Sequence, residues 1–180
     1  MVIVDGPGVK LGKASDHYEE RLCKRRVYLP VTATYSPEID AFLDITATPN
    51  YVSELTAFKT YLVGEIIRSR IFLAIIADKR YDDSFLIRKW ERAGIMPCIP
   101  ARKGRLAPKG GSRAKSGRNY QMTRATYHMR SLIESGFSSV KSFSPLTVRE
   151  IIWKCRETDV LTHYLAHNVA SLLAIGEIRH

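Results

Sequence analysis

The sequence is poor in cysteine. Cys23, Cys98 and Cys155 stand far apart in 180 residues. No CxxC pair is present, which argues against a zinc knuckle or a dithiol redox centre, and an odd, scattered set suits a reducing compartment. Long apolar runs are also missing. None approaches the roughly 18 residues that a membrane helix requires. The start, MVIVDGPG, has neither the basic region nor the apolar length of a signal peptide. A cytoplasmic protein with no membrane partner is the expectation. Acidic residues are the third shortage: 18 Asp plus Glu face 28 Lys plus Arg, a net charge of +10. That excess selects a polyanionic partner, nucleic acid first.

What the sequence has in quantity is apolar residues, 45% of the chain, enough for one genuine core. VIVD is a short apolar run halted by Gly-Pro-Gly, which predicts a buried strand starting at once. Residues 10–25 are polar and predict a loop. RVYLPVTATY and AFLDITAT are β-branched runs joined by SPEID, a hairpin pattern. Leu55, Phe58, Leu62 and Ile66 recur at helical spacing over 53–69. IFLAIIAD predicts a central strand buried on both faces. DDSFLIRKWERAG then predicts a helix capped by Asp82 or Asp83 and ended by Gly94, followed by the short strand IMPCIP.

Residues 101–118 hold seven basic residues and four glycines but no acid, the composition of a mobile loop. One helix is predicted from about 120 to 142, and a last helix or broken pair from 146 to 176. Three strands followed by βα units predict an α/β layer fold with a mixed sheet. Residues 1–145 would form the core, with 146–180 as a helical extension of the same domain. Trp90, Trp153 and the cysteines read as packing residues. His163 and His167, four apart on a helix, lack a third metal ligand in sequence.

Two carboxylates stand out. Asp5 and Asp78 each follow an apolar strand directly, so both project beyond the sheet, where ligands of such folds tend to sit. An ionised carboxylate there must be solvated, paired or bound to metal. If the two strands are neighbours, the like charges call for a cation between them. The plain alternative is that Asp78 caps the next helix and Asp5 opens a turn. Asp16, Asp40 and Asp44 fit loop, hairpin turn and strand surface.

The stretch YHMRSLIESGFSSVK poses the same choice. At 100° per residue, Tyr127, Arg130, Glu134 and Lys141 fall within a sector of roughly 60°. Met129, Ile133, Gly136, Phe137 and Val140 form the apolar stripe beside it. The polar groups thus emerge at the edge of the buried face, where a cleft would lie. A solvated face with an Arg130–Glu134 pair explains the same pattern.

Those four residues, separated by two, three and six positions, match the Y-(2)-R-(3)-E-(6)-K signature of prokaryotic insertion-sequence transposases of the DDE class. The segment IIADKRYDDSFLIRKWERAGIMPCIPARK resembles that family's second-Asp block. VIVDGPGVK resembles its first-Asp strand, although Ser-Thr-Gly more often follows the Asp there. LAHNVASLL is similar to its closing helix. The resemblance spans about residues 2–174.

The resemblance implies an RNase H-like mixed sheet with flanking helices. It implies Asp5, Asp78 and Glu134 as the catalytic, metal-binding triad for two Mg²⁺ ions, with Mn²⁺ as a possible substitute. Such a site suits in-line phosphodiester cleavage, because two ions can stabilise both the attacking and the leaving oxygen. Arg130 and Lys141 are implied on phosphates and Tyr127 against a displaced nucleotide. Arg102, Lys103 and Arg105 would add salt-sensitive contacts to the DNA backbone. The implied partners are double-stranded DNA, at transposon ends and target, and a second copy of the chain on that DNA, near the nucleoid. Family members carry an upstream helical region that helps bind the ends, and Met1 lies almost on the first catalytic strand. A non-catalytic DNA-binding remnant and a generic RNase H-like nuclease are the alternatives.

Overall fold

The computed structural model describes residues 1–11, 28–48, 52–64, 66, 72–102, 110–143, 147–148 and 153–178. Strand β1 (Val2–Asp5) lies antiparallel to β3 (Tyr28–Ser36), with Ile3 opposite Tyr35 and Asp5 opposite Ala33. Strand β2 (Gly8–Leu11) continues along the same side of β3 in the same register, Gly8 opposite Pro30. The two are one long strand interrupted at Gly6-Pro7, and the Pro7 carbonyl still accepts the Val31 N–H at 3.3 Å. Pro7 has no N–H to give, which explains the gap. A loop was expected over residues 10–25, and the pairing of Lys10 and Leu11 corrects its first two positions.

The predicted hairpin is present. β3 turns through residues 37–40 into β4 (Ala41–Ala47), and the register slips at Thr34/Tyr35. Asp40 sits in the turn at φ +46, a conformation that Asp tolerates better than most side chains. On the other side of β1 lies β5 (Ala74–Ala77), parallel, with Val4 opposite Ala77; β6 (Met96–Cys98) extends the sheet beside β5. A short β7 (Thr147–Val148) runs parallel to β2. It falls where a helix was predicted to begin. The result is a mixed sheet of antiparallel and parallel strands with helices on both faces, an RNase H-like architecture.

Alternation along the strands assigns each face its core. Val2, Val4, Ile75 and Ala77 point to one side. There they meet Phe58 and Val63 of the first helical segment, which passes from α1 (Glu54–Ala57) into a wide π-helical turn (Phe58–Leu62). Leu86, Ile87 and Trp90 of α2 (Ser84–Arg92) join them. Asp83 caps α2, accepting the N–H groups of Phe85 and Leu86, and also takes Lys59 Nζ at 2.7 Å. Gly94, at φ +78, ends the helix as predicted.

Ile3, Ile76 and Cys98 point to the opposite side. There α5 (Arg130–Phe143) brings Ile133, Phe137 and Val140, and α6 (Trp153–Ile178) brings Val160 and Tyr164. α6 is one helix. It is tied to β4 by Asn168, whose amide accepts the Phe42 N–H at 2.8 Å and donates to the Phe42 carbonyl at 2.7 Å. The side chain thereby stands in for a neighbouring strand on that edge. Gly136 of α5 lies close against Phe42 and Tyr35 of the sheet. A Cβ there would lie 3.1 Å from Phe42 Cζ and 3.2 Å from Tyr35 Cε2. Gly136→Leu is therefore expected to lower stability by about 1–3 kcal/mol through overpacking, despite better helix propensity. Urea unfolding should show an earlier midpoint at unchanged slope.

Two predictions about the region before α5 need correction. Residues 110–118 do not form a loop: Gly111–Met122 is helix α3. Its composition is loop-like, but Ala114 and Ser116 are buried and Arg113 is held by a carboxylate, so tertiary contacts override weak propensity. The helix predicted as continuous from 120 to 142 is interrupted twice. α4 (Arg124–His128) lies between breaks at Thr123 and Met129. Tyr127 therefore stands on a different segment from Arg130, Glu134 and Lys141.

Candidate active site

The same alternation that builds the core delivers the two aspartates together. Asp5 follows Ile3 by two residues, and Asp78 follows Ile76 by two. Ile3 and Ile76 are direct partners across the parallel β1–β5 pair. Asp5 and Asp78 thus leave neighbouring strand ends, roughly 5 Å apart at the backbone, towards the face that α5 covers. Asp78 introduces a 3-10 turn over Lys79–Tyr81 but makes no side-chain cap there. The plain reading of Asp78 as the cap of the next helix does not hold, because Asp83 takes that role.

From above, α5 contributes Arg130. Its Nη2 donates to Asp5 Oδ2 at 2.7 Å, and its Nη1 lies 3.2 Å from Glu134 Oε1 one turn along. Arg130 therefore bridges Asp5 and Glu134. Its Nε is buried with no hydrogen-bond partner. Tyr127 packs partly buried against the Ile3–Ile133 core and meets Tyr120 edge-on at 4.8 Å. Glu134 is the most open member, its side chain 58% exposed against 17% for Asp5 and 24% for Asp78.

Burial pushes the Asp5 carboxyl above its ordinary value, and the charge of Asp78 adds to that, although Arg130 and the Gly6 N–H pull the other way. Burial lowers the Arg130 pKa, but the Asp5, Tyr127, Asp78 and Glu134 charges outweigh it and hold the guanidinium above its usual range. Burial raises Tyr127 as well. The arrangement is two neighbouring carboxylates, Asp5 paired closely with Arg130 and Asp78 more loosely with Arg80, whose Nε lies 4.0 Å from Asp78 Oδ2. Among the described residues, no group of three or more His, Cys, Asp or Glu side chains is drawn closely enough to grip a metal ion as they stand.

The structure thus gathers Asp5, Asp78, Tyr127 and Arg130 and links Glu134 through Arg130. Lys141 lies exposed in the last turn of α5, eleven residues past Arg130 and roughly 16 Å farther along the axis. Arg102 does not point into open groove: its Nε donates to the Lys79 carbonyl at 2.9 Å and its Nη2 to the Arg80 carbonyl. Lys103 and Arg105 lie outside the described residues. His163 Nδ1–H donates to the Asp159 carbonyl one turn back in its own helix at 2.7 Å, and His167 is buried beside Phe42.

Sequence reasoning missed Asp82. It is buried, and it receives Arg113 Nε at 2.8 Å, Arg113 Nη2 and the Arg102 N–H at 2.9 Å. Burial alone would raise its carboxyl, but these donors hold it below the ordinary range. The signal in the sequence was slight: Asp82-Asp83 offers two caps for one helix, so one of them is left for another task.

The fold is thus an RNase H-like sheet that presents paired strand-end carboxylates under a helix-borne arginine. The family model for the transposase DDE domain matches residues 1–169, and the chain belongs to that family. Family membership gives it a role in DNA transposition, with DNA as substrate and a divalent metal as the general cofactor of such domains. No curated protein and no solved structure matches the chain. Among the described residues, no helix is long and apolar enough to cross a membrane.

Proposed function

We propose that this chain is the catalytic domain of a YREK-type insertion-sequence transposase, cleaving DNA at the element's ends and joining them to target DNA with Mg²⁺. The observation that carries this reading is the placement of Asp5 and Asp78 side by side beneath Arg130. The donor chemistry fits a hard cation: both groups are carboxylate oxygens and partly buried, and burial, with the Asp78 charge adding to it, raises the Asp5 carboxyl above its ordinary value. Asp5, Asp78 and Glu134 would hold the metal. When bound, two Mg²⁺ ions supply stabilisation of the attacking and leaving oxygens.

The chain's own residues do the rest. Arg130 balances Asp5 through the 2.7 Å contact, and its guanidinium would suit a phosphate beside the cut. Tyr127 offers an aromatic face on the same side for a displaced nucleotide. Lys141 would bind the DNA backbone, and the basic residues Lys103 and Arg105 would do the same, each phosphate contact steepening the salt dependence by about 0.9. The chain acts as a homodimer on DNA, one copy for each end, in the nucleoid.

Duplex DNA carrying the element's terminal sequences, incubated with the protein and Mg²⁺ or Mn²⁺, is expected to be nicked at the terminus, and EDTA should abolish the nick. Binding that ignores Mg²⁺ and survives Asp78→Asn, with no nicking, would instead identify a non-catalytic DNA-binding protein. Cleavage directed by DNA shape without strand joining would identify a general nuclease.

A further inference from the structure

We propose that Arg102 is a positioning residue: locked by Asp82, it holds the turn that carries Asp78 and so sets the aim of the Asp78 carboxylate. This rests on the reading of Asp78 as a metal ligand. Asp82 is the most deeply buried carboxylate among the described residues, 7% exposed. An ionised carboxylate in such a place costs several kcal/mol unless it is fully paired, and here it is. Arg113 reaches it from α3 through two nitrogens, and the Arg102 N–H completes the set.

With its backbone fixed in this way, Arg102 turns its guanidinium back onto the carbonyls of Lys79 and Arg80. Those carbonyls belong to the turn that begins at Asp78, where Tyr81 N–H donates to the Asp78 carbonyl at 2.9 Å and Asp82 N–H to the Lys79 carbonyl at 3.2 Å. The contacts close a ring: Asp82 holds Arg102, Arg102 holds Lys79 and Arg80, and the turn leads back to Asp82. Asp78 is therefore held on its first side by β5 and on its second by this ring. Without the ring, Asp78 would stand at the end of a strand with a free turn behind it. Arg102 itself is exposed, yet two of its guanidinium nitrogens are engaged by backbone carbonyls, which directs its action towards Asp78 and away from DNA phosphates.

Arg102→Ala tests this while keeping the backbone N–H that Asp82 uses. Two measurements need no catalysis. Hydrogen exchange in the metal-free protein is expected to be tenfold or more faster at the Tyr81 and Asp82 amides, with α2 and β1 amides unchanged. Mn²⁺ binding, followed by paramagnetic resonance of the free ion, is expected to weaken about 10–100-fold, the usual effect of losing an outer support of a metal ligand. Affinity for a non-specific duplex in EDTA is expected to stay within twofold of wild type. The reverse pattern, weaker duplex binding with unchanged exchange and unchanged Mn²⁺ affinity, would overturn the proposal and make Arg102 a phosphate contact. If the wild-type protein binds no Mn²⁺, the reading of Asp78 as a ligand fails, and the exchange result still decides whether Arg102 holds the turn. Asp82→Asn, should it fold, is expected to show both effects at once.

Discussion

Asp5→Asn is expected to reduce metal-dependent DNA cleavage by about 10²–10³-fold or more, the scale of removing one preorganised electrostatic contact from a transition state, while leaving the protein at least as stable as wild type at pH 7. The two halves of this result have one cause. Asp5 is held above its ordinary value of 3.8, first by burial and then by the neighbouring Asp78 charge. A carboxyl whose folded pKa is raised binds its proton more readily in the folded state than in the unfolded chain. Its ionisation therefore destabilises the fold. That cost is absent below the unfolded value near 3.8, grows as pH rises towards the raised folded value, and is fully present above it. Asn at this position has no charge to bury and can still accept from Arg130. Thermal melts of both proteins across pH 4–7 measure it: the variant's advantage should widen towards pH 7 and vanish towards acid. A variant melting far below wild type at pH 7 would mean that the Arg130 contact outweighs the burial of the charge. The carboxylate is then a functional group kept at a cost in stability, as expected of a site that must attract a cation.

Much of this site is legible in the sequence, because the features that mark it are local. An apolar strand followed at once by Asp is visible in VIVD and in FLAIIAD. Strand alternation then places both aspartates on one face as soon as the strands are known to be neighbours. That neighbourhood is a non-local fact, and the sequence poses it only as a condition. β2 escaped for the same reason: GVKL is too short to announce a strand, and its membership comes from continuing the β1 register past Pro7. α3 escaped because glycine and charge dominate its composition, while its order comes from Asp82, a partner 31 residues away. The break at Met129 reshaped the four-residue sector without dissolving it. Ile133, Phe137 and Val140 are buried as the stripe predicts, and Arg130 stands at its edge. Met129 was assigned to the stripe but is 37% exposed, since it sits at the interruption itself.

Glu134→Gln is expected to leave the fold intact and to lower cleavage by about 10²–10³-fold. The structural cost is small because the residue lies on the open face of α5. Its carboxylate pairs with Arg130, four residues before it, and a helical pair of that spacing contributes only about 0.2–0.5 kcal/mol. Thermal melting should therefore change by no more than about 1–2 °C, on the usual scale of several degrees per kcal/mol. The catalytic cost is large if Glu134 turns from Arg130 to the metal, because Gln keeps the shape and removes the anionic oxygen that a hard cation prefers. The same exchange predicts a signature at Arg130. In wild type, metal binding should free its guanidinium from both Asp5 and Glu134, so duplex DNA should bind more tightly with Mg²⁺ present than in EDTA. In the Gln variant that gain should shrink, since metal loading is weakened. Cleavage within threefold of wild type, together with an undiminished Mg²⁺-dependent gain in DNA affinity, would remove Glu134 from the metal-binding set. Among the described residues, Asp5 and Asp78 would then remain to hold the cation.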